Sequence, residues 1–398
     1  MQVAAGVDGW TVAAAYGVAP DFVYQRAVLG FAGFVPPGRL AALTADPRVV
    51  RVVPDRTVTA IAKATAGGGS VSSQTIPAGV VRVGASASTL SFNGSGVGVA
   101  VIDTGVDFNH ADLQPLGTIA FSAYGASAQD NNGHGTHVAG IIAARNNTLD
   151  VVGVAPAATI YAVKVLDASG SGSDSAVTAG LDWVLKNAAN AVPAIRVVNM
   201  SLGRAGSVND NLTMRTAMQS LRAAGISIIV AAGNDASLEI SQQVPAAYPE
   251  VMAIASTTAQ AGITQSRTFR TPIPTDTASY FTTDGVKVTV SAPGEDREDV
   301  TKANFIQSVG ILSTKLGGGV TRMSGTSMAA PHAAGVAALV YQKFFSGTVD
   351  SVTVDRVKAR LQAGADQQEK APLKSPASSY TDDGVREGIL NAGGALKD

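Results

Sequence analysis

Three segments of this sequence set a titratable or nucleophilic side chain among small neighbours: Val101-Ile102-Asp103-Thr104-Gly105, Asn132-Gly133-His134-Gly135-Thr136-His137-Val138-Ala139-Gly140, and Ser324-Gly325-Thr326-Ser327-Met328-Ala329-Ala330-Pro331-His332. A carboxylate, an imidazole and a hydroxyl are the working parts of nucleophilic acyl transfer: the carboxylate orients the ring, the ring takes the hydroxyl proton, and the oxygen attacks a carbonyl. Asp103 closes an apolar β-branched run, which places it at the carboxyl end of a buried strand, where open α/β sheets bind ligands. His134 opens a helix between Gly133 and Gly135, whose freedom lets the ring approach both partners. Ser327 begins a helix of small residues, beside unpaired backbone donors. A fourth segment, Ala231-Ala232-Gly233-Asn234, follows an apolar run and puts an amide side chain at another strand end.

Each element alone has a plainer reading. Asp103-Thr104-Gly105 also suits a strand-end turn, or half of an aspartic-protease site, whose second triplet is absent. His134 and His137, three apart, would make a metal pair, but that spacing fits the usual zinc-protease motif poorly, and His137 is assigned to structure. Ser327 suits a helix cap and Asn234 a turn. The conjunction of the four segments decides for catalysis.

In their order these segments resemble the subtilisin family of serine proteases, and the resemblance covers nearly all of 74–396. The order Asp, His, Ser is the family's own, matched here and not inferred from spacing. The resemblance implies that His134 is general base and then general acid, that Asp103 orients it, and that Ser327 is the nucleophile. It implies that the Asn234 amide and the Ser327 backbone N–H donate to the oxyanion. Ser201, Leu202 and Gly203 look like one edge that pairs with substrate backbone; Ser169, Gly170 and Gly172 look like the opposing edge. Arg204 stands where the family often has glycine, and Asp174 where it often has an aromatic residue. The segments 266–276 and 294–307 are longer than the family minimum. Gln74, Asp112 and the loop carrying Arg145, Asn147, Leu149 and Val151 match its calcium site, with side-chain oxygens from Gln74, Asp112 and Asn147 and carbonyls from Arg145, Leu149 and Val151.

The elements that must hold these residues are legible from periodicity. Short β-branched runs alternate with helical patterns, which predicts strands over 97–102, 159–166, 196–202, 226–231 and 251–256. Helices are expected over 134–144, 173–190, 211–224 and from 327 to about 343. The expected fold is α/β, a doubly wound, mostly parallel sheet with helices on both faces.

Residues 1–62 read as a small α+β unit with a helix around 39–44, and the segments 30–34 and 46–55 resemble the family's inhibitory propeptide. No opening strand is recognisable before Gly9. Residues 63–73, mostly Ala, Gly, Ser and Thr, are expected to be an exposed linker carrying the maturation site, and 74–398 the catalytic domain.

The 398 residues are 46% hydrophobic and 15% charged, with a formal net charge of -1, so the chain buries a core and carries no basic footprint for nucleic acid. There is no cysteine, hence no disulfide and no thiolate metal site. No stretch is apolar enough to span a membrane, and residues 1–20 lack a signal peptide's basic start and apolar core. The expectation is a secreted monomeric endopeptidase, cutting proteins or peptides, restrained by its own propeptide and binding Ca2+. The competing readings are an inactive binding protein on the same fold and an aspartic protease.

Overall fold

The protein was analysed as a computed structural model, in which residues 1–69, 73–85, 91–377, 379–380 and 382–398 are described. Residues 70–72 of the expected linker lie outside them.

The first elements are β1 (Gln2–Val3), α1 (Gly9–Ala15), β2 (Pro20–Tyr24), β3 (Gly30–Gly33), α2 (Pro37–Ala45) and β4 (Val49–Arg51). The four strands form an antiparallel sheet in the order β2-β3-β1-β4. Val3, Val12, Phe31 and Leu43 make its separate core. An opening strand therefore does exist before Gly9. At two residues it is too short for any alternation to reveal it.

The chain then runs through β5 (Thr57–Ala60) and β6 (Lys63–Gly69) into a short helix, α3 (Ala78–Arg82). Beyond it lie β7 (Gly98–Asp103), β8 (Phe121–Ser122), α4 (His134–Ala143), β9 (Thr159–Lys164), β10 (Ser171–Ser173), α5 (Asp174–Asn187), β11 (Ile195–Met200) and β12 (Leu202–Ala205). These are followed by α6 (Leu212–Ala223), β13 (Ser227–Ala231), β14 (Gln243–Val244), β15 (Met252–Thr258), β16 (Val288–Val300), β17 (Ile306–Thr314), β18 (Val320–Ser324) and α7 (Thr326–Phe344).

A ten-stranded sheet has the order β6-β18-β17-β16-β15-β13-β11-β7-β9-β8. It is parallel from β16 to β8 and antiparallel from β16 to β6. Its central strands are continuous apolar runs because both faces are covered. Along β7, Val99 and Val101 join the core under α4 and α7, whereas Ala100 and Ile102 join the core under α5 and α6. Each such Val or Ile, fully buried, contributes about 1.5–3 kcal/mol relative to exposure. This is the expected doubly wound α/β fold. Lys63–Gly69, expected as exposed linker, instead forms an edge strand, because its main-chain groups find the free edge of β18.

Candidate active site

Three neighbouring parallel strands, β13, β11 and β7, end on one edge of the sheet. Asp103 is the last residue of β7, Ser201 follows β11, and Asn234 lies just past β13. Ser327 and His134 come to this edge on the first turns of α7 and α4, which pack against each other.

Asp103 is fully buried, and its Oδ1 lies 2.7 Å from His134 Nδ1 and accepts from Thr104 N at 2.7 Å. The ring can come this close because residue 135 is glycine: a Cβ there would fall 2.1 Å from the Gly105 carbonyl oxygen. Burial works against the His134 imidazolium, but the Asp103 charge and hydrogen bond outweigh it, so the pKa is raised from 6.5. His134 Nε2 is buried and has no partner. The Ser327 hydroxyl donates to the Ser201 carbonyl at 3.0 Å. A turn about the Ser327 Cα–Cβ bond is what would release it toward the ring.

Other residues hold this arrangement. Asp130 Oδ1 accepts from Thr104 Oγ1 at 2.9 Å and from Gly133 N at 3.0 Å, while its Oδ2 accepts from Thr136 N at 3.0 Å. The buried Lys164 ammonium donates to the carbonyls of Thr104 and Leu166 and to Asn131 Oδ1. Sequence reasoning missed both. Asp130, four residues before His134 at a helix start, was a usable signal; Lys164 at the end of an apolar strand offered none. His137 Nε2 donates to the carbonyls of Ile311 and Thr321 at 3.1 and 3.2 Å, tying α4 to β17 and β18, and burial lowers its pKa to about 3.

The cleft is filled by the chain itself. β5 lies antiparallel between β10 and β12, pairing Val58 with Gly172, Thr59 with Ser171 and Gly203, and Ala60 with Leu202. Ala60 N donates to the Gly170 carbonyl at 2.9 Å and Ile61 N to the Ser201 carbonyl at 3.4 Å. Of the expected edge residues, only Ser169 is not brought to the strand; it closes a turn on Asp167. Asn234 Nδ2 donates to the Ile61 carbonyl at 2.8 Å, and its Oδ1 accepts from Thr326 N and Oγ1, both at 2.9 Å. A Cβ at Gly325, whose φ is 154°, would stand 2.5 Å from that Ile61 oxygen, so the pocket for the carbonyl exists only with glycine there. Arg204 and Asp174 form a bidentate ion pair at 3.0 and 2.7 Å, and Asp174 N donates to the carbonyl of Arg56, the residue just before β5.

Contacts between the N-terminal residues and α5 extend beyond the cleft. The Asp182 carboxylate on α5 accepts from Gln25, Arg26 and Ala27 N at 3.0, 2.6 and 2.7 Å. Asp55 accepts from Ser175 N at 2.9 Å at the start of the same helix.

The expected calcium ligands also converge. Gln74 Nε2 lies 2.8 Å from the Arg145 carbonyl, 2.9 Å from Asn147 Oδ1, 2.8 Å from the Leu149 carbonyl and 3.3 Å from the Val151 carbonyl. The buried Asp112 carboxylate accepts from Asn147 Nδ2 at 2.9 Å and Val151 N at 3.1 Å. Four oxygens gathered about one donor, with a carboxylate alongside, are a donor set suited to a hard cation. A 180° turn of the Gln74 amide would present its oxygen to the same place. A second acidic group, Asp284, Asp382 and Asp383, has carboxylate oxygens within 4.8 Å of one another.

Residues 94–388 match the family described as the Subtilase family. M-protease of Shouchella clausii (strain KSM-K16) is 39% identical over 308 residues, covering 77% of this chain and 67% of that protein. Alkaline elastase YaB of Bacillus sp. (strain YaB) is 38% identical over 77% of this chain and 68% of its own. Subtilisin Savinase of Lederbergia lenta is 40% identical over 68% of this chain and 86% of its own.

Proposed function

The chain belongs to the subtilase family and is a subtilisin-like serine endopeptidase; from that premise we propose that it is a secreted zymogen that processes itself and cuts protein substrates through an acyl-enzyme on Ser327. The observation that carries this reading is the Asn234 amide on the carbonyl of Ile61, a residue whose N–H shares the Ser201 carbonyl with the Ser327 hydroxyl.

Neutral His134 holds its proton on Nδ1 against Asp103, which leaves Nε2 free to take the Ser327 proton. Ser327 Oγ then attacks the carbonyl, whose developing negative charge meets the Asn234 amide and the Ser327 N–H. His134 returns the proton to the leaving nitrogen, and water completes the cycle by the same route. Edge pairing to β10 and β12 supplies affinity through main-chain bonds and asks little of the side chains, which suits broad protein substrates.

Gln74, Asp112, Arg145, Asn147, Leu149 and Val151 would hold Ca2+, whose contribution is stability of the loop and of the segment before α3. Among the described residues no helix is long and apolar enough to cross a membrane, which is compatible with export.

The test is incubation with a fluorophosphonate and mass mapping of the adduct. Labelling at Ser327 that parallels loss of peptide hydrolysis is expected; an active preparation that takes no label at Ser327 overturns the mechanism.

A further inference from the structure

The chain lies on both sides of the catalytic centre. Upstream, β5 reaches the cleft between β10 and β12 and delivers the Ile61 carbonyl to Asn234. Downstream, β6 continues as a ladder on β18, pairing Lys63 with Ser324, Ala64 with Met323 and Thr65 with Arg322. Gly310 N also donates to Thr65 Oγ1 at 3.2 Å. Ser324 lies three residues before Ser327, so the register changes sides of the nucleophile between Ile61 and Lys63.

We propose that Ile61–Ala62 is the bond this protease cuts first in its own chain, and that the strand so released, Lys63–Gly69, stays on β18 as an occupant of the leaving-group side until a second cut removes it. The inference rests on the self-processing reading above. In the first step Ser327 Oγ forms an ester with the Ile61 carbonyl carbon and passes its proton to His134. The Ile61–Ala62 C–N bond breaks, and Ala62 leaves as an amine carrying the proton that His134 returns. Water then attacks the ester, gives a proton to His134, and frees the Ile61 carboxylate and the Ser327 hydroxyl.

The two products differ in one physical respect. The upstream piece becomes a separate molecule and can dissociate or be degraded. The downstream strand remains part of the enzyme, anchored through Gln74 to the loop at 145–151, so it competes at the effective concentration of a short tether and not at a bulk concentration. The first cut therefore leaves the leaving-group side covered. A substrate reaching past the scissile bond must displace β6, whereas one ending in a small chromophore at the scissile bond need not.

The experiment follows purified full-length chain over time by intact mass and by two substrates: a short peptide p-nitroanilide and an internally quenched peptide with four residues beyond the cut. The expected first product has Ala62 at its N-terminus, and a later one begins between Thr65 and Gln74. The ratio of quenched-peptide to anilide activity is independent of how much upstream piece remains bound. It should rise roughly tenfold with the second cut, the scale a short tether supports. Thr65→Pro, which puts a ring in the middle of the ladder and loses the Oγ1 acceptor of Gly310 N, should begin at the high ratio. A first cut at another bond, or a ratio that stays constant between the two products and in Thr65→Pro, overturns the inference while leaving the protease reading intact. Processing of Ser327→Ala without added protease would instead overturn the self-processing reading itself.

Discussion

Nδ1 of His134 lies 2.7 Å from Oδ1 of Asp103, with both side chains shut from water. Burial is the largest influence on the ring and lowers its pKa; Asp103 reverses the sign. The acid limb of kcat/KM, which reports loss of neutral His134, is therefore expected above the 6.5 of an ordinary imidazole. The same raised pKa stabilises the fold fully below 6.5, and that contribution fades as pH rises through the folded value. Asp103→Asn removes the compensating charge and leaves burial in command. NMR titration of the His134 ring should then place its pKa below 6.5, and an unchanged or higher value would remove Asp103 as the cause.

Gly135 is a geometric requirement for that pair. The Cβ of Gly135→Ala would press on the Gly105 backbone, which cannot rotate aside, so α4 must move off the Asp103 turn. Overpacking of this kind costs about 1–3 kcal/mol. Urea unfolding should show that loss, and kcat should fall more than KM rises. Wild-type turnover in Gly135→Ala would mean that the approach of α4 to β7 is not what sets the ring.

Asp103, His134, Ser327 and Asn234 could be read from the sequence because each sits at an element boundary marked by glycine or small residues, and boundaries are where periodicity breaks. β7, β9, β11, β13 and β15 were legible as unbroken apolar runs, since both faces of a parallel sheet are covered. Lys164 was not, because its partners, the carbonyls of Thr104 and Leu166 and the side chain of Asn131, are brought together only by the fold. The pairing of Asp174 with Arg204 shows the same limit: two departures from the family pattern, 30 residues apart, compensate each other in space. β6 was hidden by composition, since Ala, Gly and Thr carry no alternation and the strand exists through its main-chain bonds to β18.

Calcium should act on stability. A ligand that binds only the folded state stabilises it by about 2.7 kcal/mol at a free concentration one hundred times its dissociation constant. Chelator should lower Tm, and Asp112→Asn or Asn147→Ala should shrink the calcium-dependent increment. An increment equal to wild type in both variants would take the ion away from Gln74 and its neighbours and direct attention to Asp284, Asp382 and Asp383.

If residues 1–61 act as the proposed prosegment, Asp182 should supply much of their grip. That carboxylate, on α5, accepts three consecutive backbone N–H groups from Gln25 to Ala27. Hydrogen bonds to a charged acceptor contribute about 1.5–3 kcal/mol each, and Asp182→Asn sets an NH2 group against at least one of these donors. The inhibition constant of isolated residues 1–61 against processed enzyme should rise by about 10- to 100-fold, each tenfold being about 1.4 kcal/mol. Peptide hydrolysis by the variant alone should keep its kcat and KM, because Asp182 bonds residues 25–27 while the cleft strand is held by β10 and β12. Circular dichroism of the isolated segment establishes that it is folded in the assay. Equal inhibition of wild type and Asp182→Asn by a folded segment would show that β5 in the cleft, and not the α5 contact, supplies the affinity.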